Sequence, residues 1–249
     1  MARKSARRMS SATKVRRILA IDVGGTGLKA AIVSPKGKFL SDRQRVKTPH
    51  KCRPHQMVEE LSALAKVLGA YDHISIGFPG YVRNGKVITA PHFGTDTWSG
   101  FPLAAAIAKK LGAPTRLTND ADIQGLAAMK GKGLELVCTL GTGFGTAWFR
   151  DGELMPHMDL AHFTVKKKDD LDRYLGDETR KKIGHGEWNK RVAKVIAMLA
   201  TVMNYDRLYL GGGNSRHVKF KLPRNVFTVS NDAGMEGSAF VWRRQHRPA

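Results

Sequence analysis

The sequence predicts an α/β protein of two lobes that share one plan and face each other across a cleft. Two observations predict this class. Short apolar runs that end at glycine-rich turns alternate with amphipathic helical stretches, as in α/β proteins. One Gly-Thr-Gly turn also recurs at the same place in each half, at residues 25–27 and 141–143. We expect these two turns to lie on opposite sides of the cleft.

The first half predicts five strands and two helices. The apolar run that begins at Ile18 is typical of a buried strand, and the turns at 24–27 and 34–37 have hairpin composition. Pro102 is favoured at a helix start, whereas Gly69 and Gly112 are typical of helix ends. Strands are predicted over 18–23, 28–34, 37–47, 73–78 and 115–117, and helices over 58–68 and 102–112.

The second half repeats this order. A helix from about Asn119 to Met129 connects the halves, and a second Gly-rich turn again joins two strands. Apolar residues at helical spacing from Trp188 to Met203 predict a long helix. Strands are predicted over 135–140, 146–150, within 153–164, 207–210 and 226–230, and a last helix from about residue 233.

These elements predict three regions. We expect a basic tail over 1–14, an N-terminal lobe over 15–118 completed by the C-terminal helix at about 233–245, and a C-terminal lobe over 119–232. The first seventeen residues contain no acid, which is typical of a disordered basic tail. An organelle transit peptide, which is also rich in Arg and Ser, is the alternative.

Charge and composition narrow the class of function. The chain has 42 lysine and arginine residues against 21 aspartate and glutamate residues, a formal net charge of +21. Such a field favours polyanionic partners: nucleic acid, an anionic membrane surface or polyphosphate. The sequence has no apolar run long enough to span a bilayer, and Cys52 and Cys138 match no metal-ligand or disulfide pattern. We therefore expect a cytoplasmic protein with two unpaired thiols.

The glycine turns are candidate phosphate sites, because backbone N–H groups without side chains can converge on an anion. Asp22 ends a buried strand, where a carboxylate needs a cation or donors, and Mg²⁺ held directly or through water would supply the cation. An ordinary tight hairpin with a capping Asp is the alternative. The candidate phosphate-binding residues are Asp22, Gly24, Gly25, Thr26, Gly27, Lys29, Gly141, Thr142, Gly143, Gly211 and Gly212.

A third glycine run, residues 211–213, follows a predicted strand. Asn214 and Ser215 come next and form a plausible helix start, whose amides could hold another phosphate. Close packing between a strand and a helix is the alternative explanation for these glycines.

Asn119 and Asp120 stand at the predicted hinge between the lobes. At a helix start such residues commonly cap the helix. A carboxylate at the floor of the cleft would also serve phosphoryl transfer, which needs a positioned hydroxyl, a base and cations on the phosphates. Asp120 is the candidate base.

Taken together, these motifs resemble the ROK family of sugar kinases, and within it the polyphosphate glucokinase branch. The resemblance covers residues from about 15 to 241. Its motifs are DVGGTGLK (22–29), IGFPGYV (76–82), GKVITAPHFGTDTWSGFPL (85–103), TNDAD (118–122), TLGTGFGTA (139–147), DLAHF (159–163), LGGGNS (210–215) and NDAGMEGSA (231–239).

The resemblance implies an actin-like ATPase fold of two ribonuclease-H-like lobes with an interlobe active-site cleft. It further implies that Asp120 is the general base for the sugar 6-hydroxyl, that the glycine turns surround the transferred phosphate and Mg²⁺, and that there is no zinc site. The sugar-binding residues that it implies are Gly80, His92, Asn119, Asp120, Asp159 and His162.

Three positions depart from the family pattern. Asp159 stands where the family has Glu, Ala161 where it has Gly, and His92 where it commonly has Asn. These differences put the identity of the sugar in doubt. A further sugar-binding Glu of the family has no clear match between residues 164 and 172.

The expected reaction is transfer of a phosphoryl group from polyphosphate, ATP or both to the 6-hydroxyl of glucose. Basic residues at 166–168 and 180–194 could form a track for polyphosphate, or merely a solvated surface. A kinase for another hexose and a weakly catalytic sugar-sensing or nucleic-acid-binding protein of the same fold are the alternatives. We expect no membrane partner and no specific nucleic acid, and a homodimer is compatible with the family.

Overall fold

The computed structural model describes residues 16–166, 169–230 and 232–243. Its first half contains most of the predicted elements. They are β1 (Ile18–Val23), β2 (Gly27–Val33), β3 (Gln44–Lys47), α1 (Pro54–Lys66), β4 (His73–Phe78), β5 (Val82–Arg83), β6 (Lys86–Val87), α2 (Thr95–Trp98), α3 (Leu103–Leu111) and β7 (Thr115–Asn119).

The second half repeats the pattern and ends in short helical turns. Its elements are α4 (Asp120–Ala128), β8 (Leu134–Leu140), β9 (Phe144–Arg150), β10 (Glu153–Leu154), β11 (Thr164–Lys166), β12 (Asp169–Asp170), α5 (Leu171–Leu175), α6 (Asp177–Met203), β13 (Arg207–Gly211), β14 (Val226–Thr228) and α7 (Ala233–Glu236). Short 3-10 segments lie between β10 and β11 (Leu160–His162), between β13 and β14 (Ser215–His217) and after α7 (Gly237–Trp242).

Two five-stranded sheets have the same topology. The first runs in the order β3-β2-β1-β4-β7 and the second in the order β10-β9-β8-β13-β14. Strands β1 and β2 form an antiparallel hairpin in the first sheet, and β8 and β9 form one in the second. Two later strands then add in parallel to each sheet, β4 and β7 to the first and β13 and β14 to the second. The internal repeat of the sequence is therefore a repeat of structure.

The alternation of side chains along β1 explains how the first sheet is buried on both faces. Leu19 and Ile21 pack into the core formed with α1 and α3. Ile18 and Ala20 point to the opposite face, where they pack against Met235 of the C-terminal segment. Successive strand residues point to opposite faces, so a strand covered on both sides has to be apolar throughout.

The layer between the two sheets contains α4 and the C-terminal helical segment 233–242. Leu126 on α4 packs against the inner face of the second sheet at Phe149. Two glycines permit this close approach. A methyl group on Gly125 would overlap the Phe149 ring, and one on Gly237 would overlap the backbone oxygen of Ile123. The outer face of the second sheet is covered by α5 and α6 through residues such as Trp188.

Several predicted boundaries were wrong. The third strand of the first half occupies only Gln44–Lys47 of the predicted 37–47. The third strand of the second half, Glu153–Leu154, lies within the predicted interval 153–164. The long helix α6 starts earlier, at Asp177, with a kink at Gly184, where φ is 79°. The last predicted helix has one α-helical turn and continues as a 3-10 turn to Trp242.

The structure also bears on the bulk expectations. Cys52 and Cys138 are buried and free, as predicted. Burial raises the pKa of the Cys52 thiol to about 11, with the charge of Glu60 adding to the effect. Within the described ranges, no helix has the length and apolarity needed to cross a membrane. The tail at 1–14 lies outside the described residues, and the predicted lobe boundaries stay a prediction.

Candidate active site

Two neighbouring cavities lie between the sheets, and Asp120 lines both of them. We call the first, of about 150 Å³, the central cavity and the second, of about 330 Å³, the adjacent cavity. The walls of the central cavity include Gly24 and Gly25 from the first glycine turn and residues 141–143 from the second. The two turns therefore face one space from opposite sheets, as the repeat predicts.

Both turns connect antiparallel strands and close on themselves. The Gly24 amide donates to the Gly27 carbonyl oxygen at 3.1 Å, and the Gly141 amide to the Gly143 carbonyl oxygen at 3.0 Å. The Thr48 hydroxyl braces the first turn by donating to the Gly24 carbonyl oxygen at 2.6 Å. The Asn214 side-chain amide braces the second by donating to the Gly141 carbonyl oxygen at 2.9 Å.

Asn119 caps helix α4, as the structural alternative required. Its side-chain oxygen accepts from the amides of Ala121 and Asp122, and its Nδ2 donates to the Gly80 carbonyl oxygen at 3.1 Å. The cap fixes the first turn of α4, which carries Asp120 at the wall shared by both cavities. Capping and a place in the cavity wall are therefore compatible roles.

The Asp120 carboxyl is a weak acid with a pKa close to neutrality. Burial raises its pKa to about 7, and the negative charges of Asp22 and Asp122 add to this effect. The Ala121 amide, which donates to Asp120 Oδ1 at 2.9 Å, opposes the rise. A carboxylate with this pKa can accept a proton at neutral pH, which is the property of a general base.

Asp22 ends β1 in the adjacent cavity, opposite Lys29 on β2. The Lys29 ammonium donates to Asp22 Oδ2 at 2.8 Å. In the same cavity, the buried Gln124 has an Oε1 atom with no hydrogen-bond partner among the described residues. A hydrated Mg²⁺ fits the Asp22 carboxylate, which is the kind of ligand that this ion prefers, whereas Gln124 Oε1 is packed against Gly211 and closed to water. No group of three or more His, Cys, Asp or Glu residues that could hold a metal ion occurs in the described part of the chain.

The predicted sugar residues meet in the central cavity. Gly80, His92, Asn119, Asp120, Asp159 and His162 all line it. Asp159 Oδ2 lies 3.7 Å from His162 Nε2, and Asp170 Oδ2 lies 3.8 Å from His162 Nδ1, so two carboxylates flank this half-exposed ring. The His92 ring packs against Gly25, where an added methyl group would lie 3.3 Å from it.

Three predicted phosphate residues line neither cavity. Thr26 is exposed, Gly27 lies under the Arg45 side chain, and Gly211 packs against Gln124. Gly212, with φ of 79°, packs against the Leu140 backbone and also lines the adjacent cavity. Close packing thus explains much of the third glycine run.

The helix expected after this run is wrong. Only a 3-10 turn, Ser215–His217, follows Asn214, which instead braces the second glycine turn. A helix N-terminus is therefore not the basis of phosphate binding at this place.

Sequence reasoning missed several cavity residues. Thr139 lines both cavities, Arg43 the adjacent cavity, and His157 and Asp172 the central one. Asp172 Oδ1 accepts from the Phe144 amide at 2.8 Å, beside the second glycine turn. It lies at the end of the interval in which the unplaced sugar-binding acid was sought. Its place within that interval was the available signal in the sequence.

Several side chains of the second basic stretch, residues 180–194, pair with acids on the same helix. Arg180 and Lys181 pair with Asp177 at 2.7 Å each. Hydrogen bonding from Lys181, with that of Arg180, lowers the pKa of Asp177 to about 2. Arg180 also lies near the His217 ring, together with His185, Arg216 and Lys219, and we call these four residues and His217 the His217 cluster. The Lys167 and Lys168 residues and the Lys166 side chain lie outside the described part of the chain.

The two sheets, their shared topology and the glycine turns across the cavity define the actin-like ATPase fold. The chain belongs to the ROK family, because residues 18–159 match that family.

Sugar kinases are found both among the proteins that are similar to this chain in sequence and among those that are similar in structure. Polyphosphate glucokinase of Mycobacterium tuberculosis (strain CDC 1551 / Oshkosh) is 30% identical over 246 residues, 92% of this chain and 92% of that protein. The crystal structure of inorganic polyphosphate/ATP-glucomannokinase from Arthrobacter sp. strain KM has a TM-score of 0.83 at 28% identity, over 90% of this chain and 97% of that one. A ROK family glucokinase from Streptomyces griseus, with glucose and AMPPNP, has a TM-score of 0.74 at 18% identity, over 90% and 98%, and supports the fold alone.

Proposed function

We propose that the protein transfers a phosphoryl group from polyphosphate to the 6-hydroxyl of glucose, with Asp120 as general base. The similar proteins support the coarser statement, that the class of activity is sugar phosphorylation. The observation that carries the finer proposal is the position of Asp120 where the central and adjacent cavities meet. A sugar in the first and a phosphate chain in the second would bring their reacting atoms together at this carboxylate.

The proposed step needs one proton transfer. The sugar hydroxyl oxygen attacks the terminal phosphorus, the bond from phosphorus to the next phosphate's bridging oxygen breaks, and the hydroxyl proton passes to Asp120. The products are a sugar 6-phosphate and a polyphosphate shortened by one unit. The pKa of about 7 suits Asp120 to this role, because an effective base has a pKa near the working pH.

The glycine turns and a cation would handle the phosphate charge. The backbone amides of Thr142 and Gly143 and the Lys29 ammonium belong to the walls along which the transferred phosphoryl group would pass. Asp22 would hold Mg²⁺, and the cation would neutralise charge on the phosphates. Substituting Lys29, or changing the backbone of the glycine turns, should therefore weaken binding of the phosphoryl donor more than binding of the sugar.

Polyphosphate is favoured as donor by the charges around the site. Lys29 and Arg43 line the adjacent cavity, and Arg216 and Lys219 belong to the His217 cluster. A chain of phosphates can contact several such cations in succession. ATP stays the alternative donor, and a groove lined by Val218 and Val229 next to Ser215 offers an apolar surface for a base.

Glucose is proposed because the polar residues of the central cavity suit a neutral polyol. Asn119, Asp159, His162 and Asp172 supply hydrogen-bonding groups there. The shorter Asp159 and the His92 ring leave another hexose, such as mannose or N-acetylhexosamine, as the alternative. The proposed location is the cytoplasm.

A panel of donors and sugars tests this function. The purified protein is incubated with Mg²⁺, polyphosphate or ATP, and glucose, mannose or an N-acetylhexosamine, and sugar 6-phosphate is measured. We expect the highest kcat/KM with polyphosphate and glucose. No product with any combination, together with tight sequence-selective DNA binding, would instead support a regulatory protein.

A further inference from the structure

A buried ion pair, which the proposed transfer step does not use, lies in the wall of the central cavity. Asp122 Oδ1 lies 3.3 Å from His157 Nδ1, and the two side chains are only 8% and 9% exposed. His157 lines the central cavity, whereas Asp122 stands behind it in the first turn of α4. A ligand in the central cavity can therefore contact the His157 ring directly.

The imidazole ring is held on two sides. Asp122 engages Nδ1, and the Tyr81 ring stacks on the imidazole with a centroid separation of 5.7 Å and an angle of 15° between the ring planes. The backbone next to it is fixed, because the Thr146 hydroxyl donates to the Met158 carbonyl oxygen at 2.9 Å. Nε2 has no hydrogen-bond partner among the described residues, so this nitrogen is left for a ligand.

Charges around the ring favour its protonated form. Burial alone would lower the pKa of His157, but the hydrogen bond and charge of Asp122, followed by the charges of Asp159 and Asp120, outweigh burial and raise it. Burial raises the pKa of Asp122, and His157 opposes that rise. Because Nδ1–H donates to Asp122, Nε2 carries a proton in the charged form of the ring, whereas in the neutral tautomer Nε2 is a hydrogen-bond acceptor.

We propose that His157 is a specificity-determining residue for the sugar, which donates an Nε2–H hydrogen bond to a hydroxyl oxygen of the bound hexose. Asp122 is then a positioning residue that fixes the ring. This inference rests on the proposed function, since it takes the occupant of the central cavity to be a hexose. Because the other acids of the cavity can only accept when ionised, a fixed donor would select the orientation of one hydroxyl.

A purely structural ion pair is the competing explanation. It predicts that variants lose stability and nothing else. Our proposal predicts a selective loss of sugar affinity, because an unpaired donor in a buried wall discriminates between sugars that do and do not supply its partner. The two explanations differ in what happens to the ligand, and this can be measured directly.

The main test is glucose affinity by calorimetry, without a donor, for wild type, His157→Leu and Asp122→Asn. We expect His157→Leu to weaken glucose binding roughly 10- to 100-fold, as for loss of a hydrogen bond to a charged group. Asp122→Asn should weaken it less, because the ring stays in the cavity wall and its neutral form can still accept a hydrogen bond from the same hydroxyl through Nε2. His55→Asn, an exposed histidine on α1, is the matched control and should change nothing.

Deoxyglucoses identify the contact. One of the 2-, 3- or 4-deoxy compounds lacks the hydroxyl that meets His157. The affinity of the wild-type protein for that compound should be about as low as the affinity of His157→Leu for glucose. In His157→Leu that analogue and glucose should bind equally. In turnover assays the same variant should raise KM much more than it lowers kcat. Equal losses for every analogue, or glucose affinity unchanged in a folded His157→Leu protein, would overturn the inference.

A second measurement is independent of kinase activity. The Cε1–H resonance of His157, assigned by its loss in His157→Leu, should titrate above the range of an ordinary histidine in wild type and move down in Asp122→Asn. Glucose should shift this resonance. If wild type makes no sugar phosphate but binds glucose with these properties, the proposed function fails while the inference stands. If wild type binds no hexose, the inference fails as well.

Discussion

Asp22 at the end of β1 and Asp120 at the start of α4 both line the adjacent cavity, and the charge of Asp22 adds to burial in raising the pKa of Asp120 to about 7. One carboxyl is paired with Lys29, while the other faces the space shared by both cavities. The two acids therefore differ in their surroundings. Asp22 is suited to meet a cation, and Asp120 to accept a proton.

The first prediction concerns the pH dependence of catalysis. Below its pKa Asp120 is protonated and cannot act as a base, so kcat/KM for the sugar should fall as pH drops through about 7. The measurement is kcat/KM from pH 5 to 9 at saturating polyphosphate. The acid limb should be missing from the residual activity of Asp120→Asn. A wild-type profile that is level down to pH 5 would contradict the assignment.

The second prediction concerns stability. The pKa of Asp120 is higher in the folded state than its ordinary value of 3.8, so ionisation of this carboxyl costs folding free energy above that range. Asp120→Asn should therefore be more stable than wild type by about 1–2 kcal/mol at pH 8, less than the full shift because the side chain is partly exposed. Below pH 4 the two proteins should converge. Urea unfolding at both pH values checks this, and equal stabilities at pH 8 would contradict it.

The third prediction tests the layer between the sheets. A methyl group at Gly237 would overlap the Ile123 backbone, so Gly237→Ala should lose about 1–3 kcal/mol in free energy of unfolding. Gly186→Ala is a control, because nothing lies within 4 Å of a methyl group there and alanine favours the helix. Urea midpoints that rank the two variants the other way would show that segment 233–242 does not dock on α4.

The fourth prediction concerns the donor. Arg216→Ala should raise KM for polyphosphate and reduce the steepness of its dependence on salt, while KM for glucose stays constant. Lys66→Ala removes an exposed charge on the helix α1, outside both cavities, and serves as control. Steady-state kinetics between low and moderate salt measure this. If Arg216→Ala and Lys66→Ala change KM for polyphosphate equally, Arg216 contributes only to the general positive charge of the surface.

The repeated plan and the glycine turns could be predicted from the sequence because local patterns encode them, whereas the sugar residues of the central cavity were implied by the family resemblance. The two Gly-Thr-Gly turns each join an antiparallel hairpin, and the apolar runs before them became β1 and β8. Asn119 signalled the start of α4 through its capping chemistry. In these places the local propensity and the tertiary structure agree.

The rest depended on contacts between distant segments. Gln124 on α4 meets the third glycine run through packing with Gly211, which no local pattern reveals. His157 lies outside regular structure, and only the tertiary structure places it against Asp122, 35 residues away. The helix predicted after residue 213 failed because Asn214 is committed to the second glycine turn.

The central claim is that Asp120 accepts the proton of the attacking sugar hydroxyl, and turnover by Asp120→Asn tests it most directly. Asparagine keeps the size of the side chain and the oxygen bonded to the Ala121 amide, but it cannot act as a base. With glucose, polyphosphate and Mg²⁺ at saturation, we predict a kcat about 10²–10⁴-fold below that of wild type, with glucose still bound. A kcat within a few-fold of wild type would contradict the account.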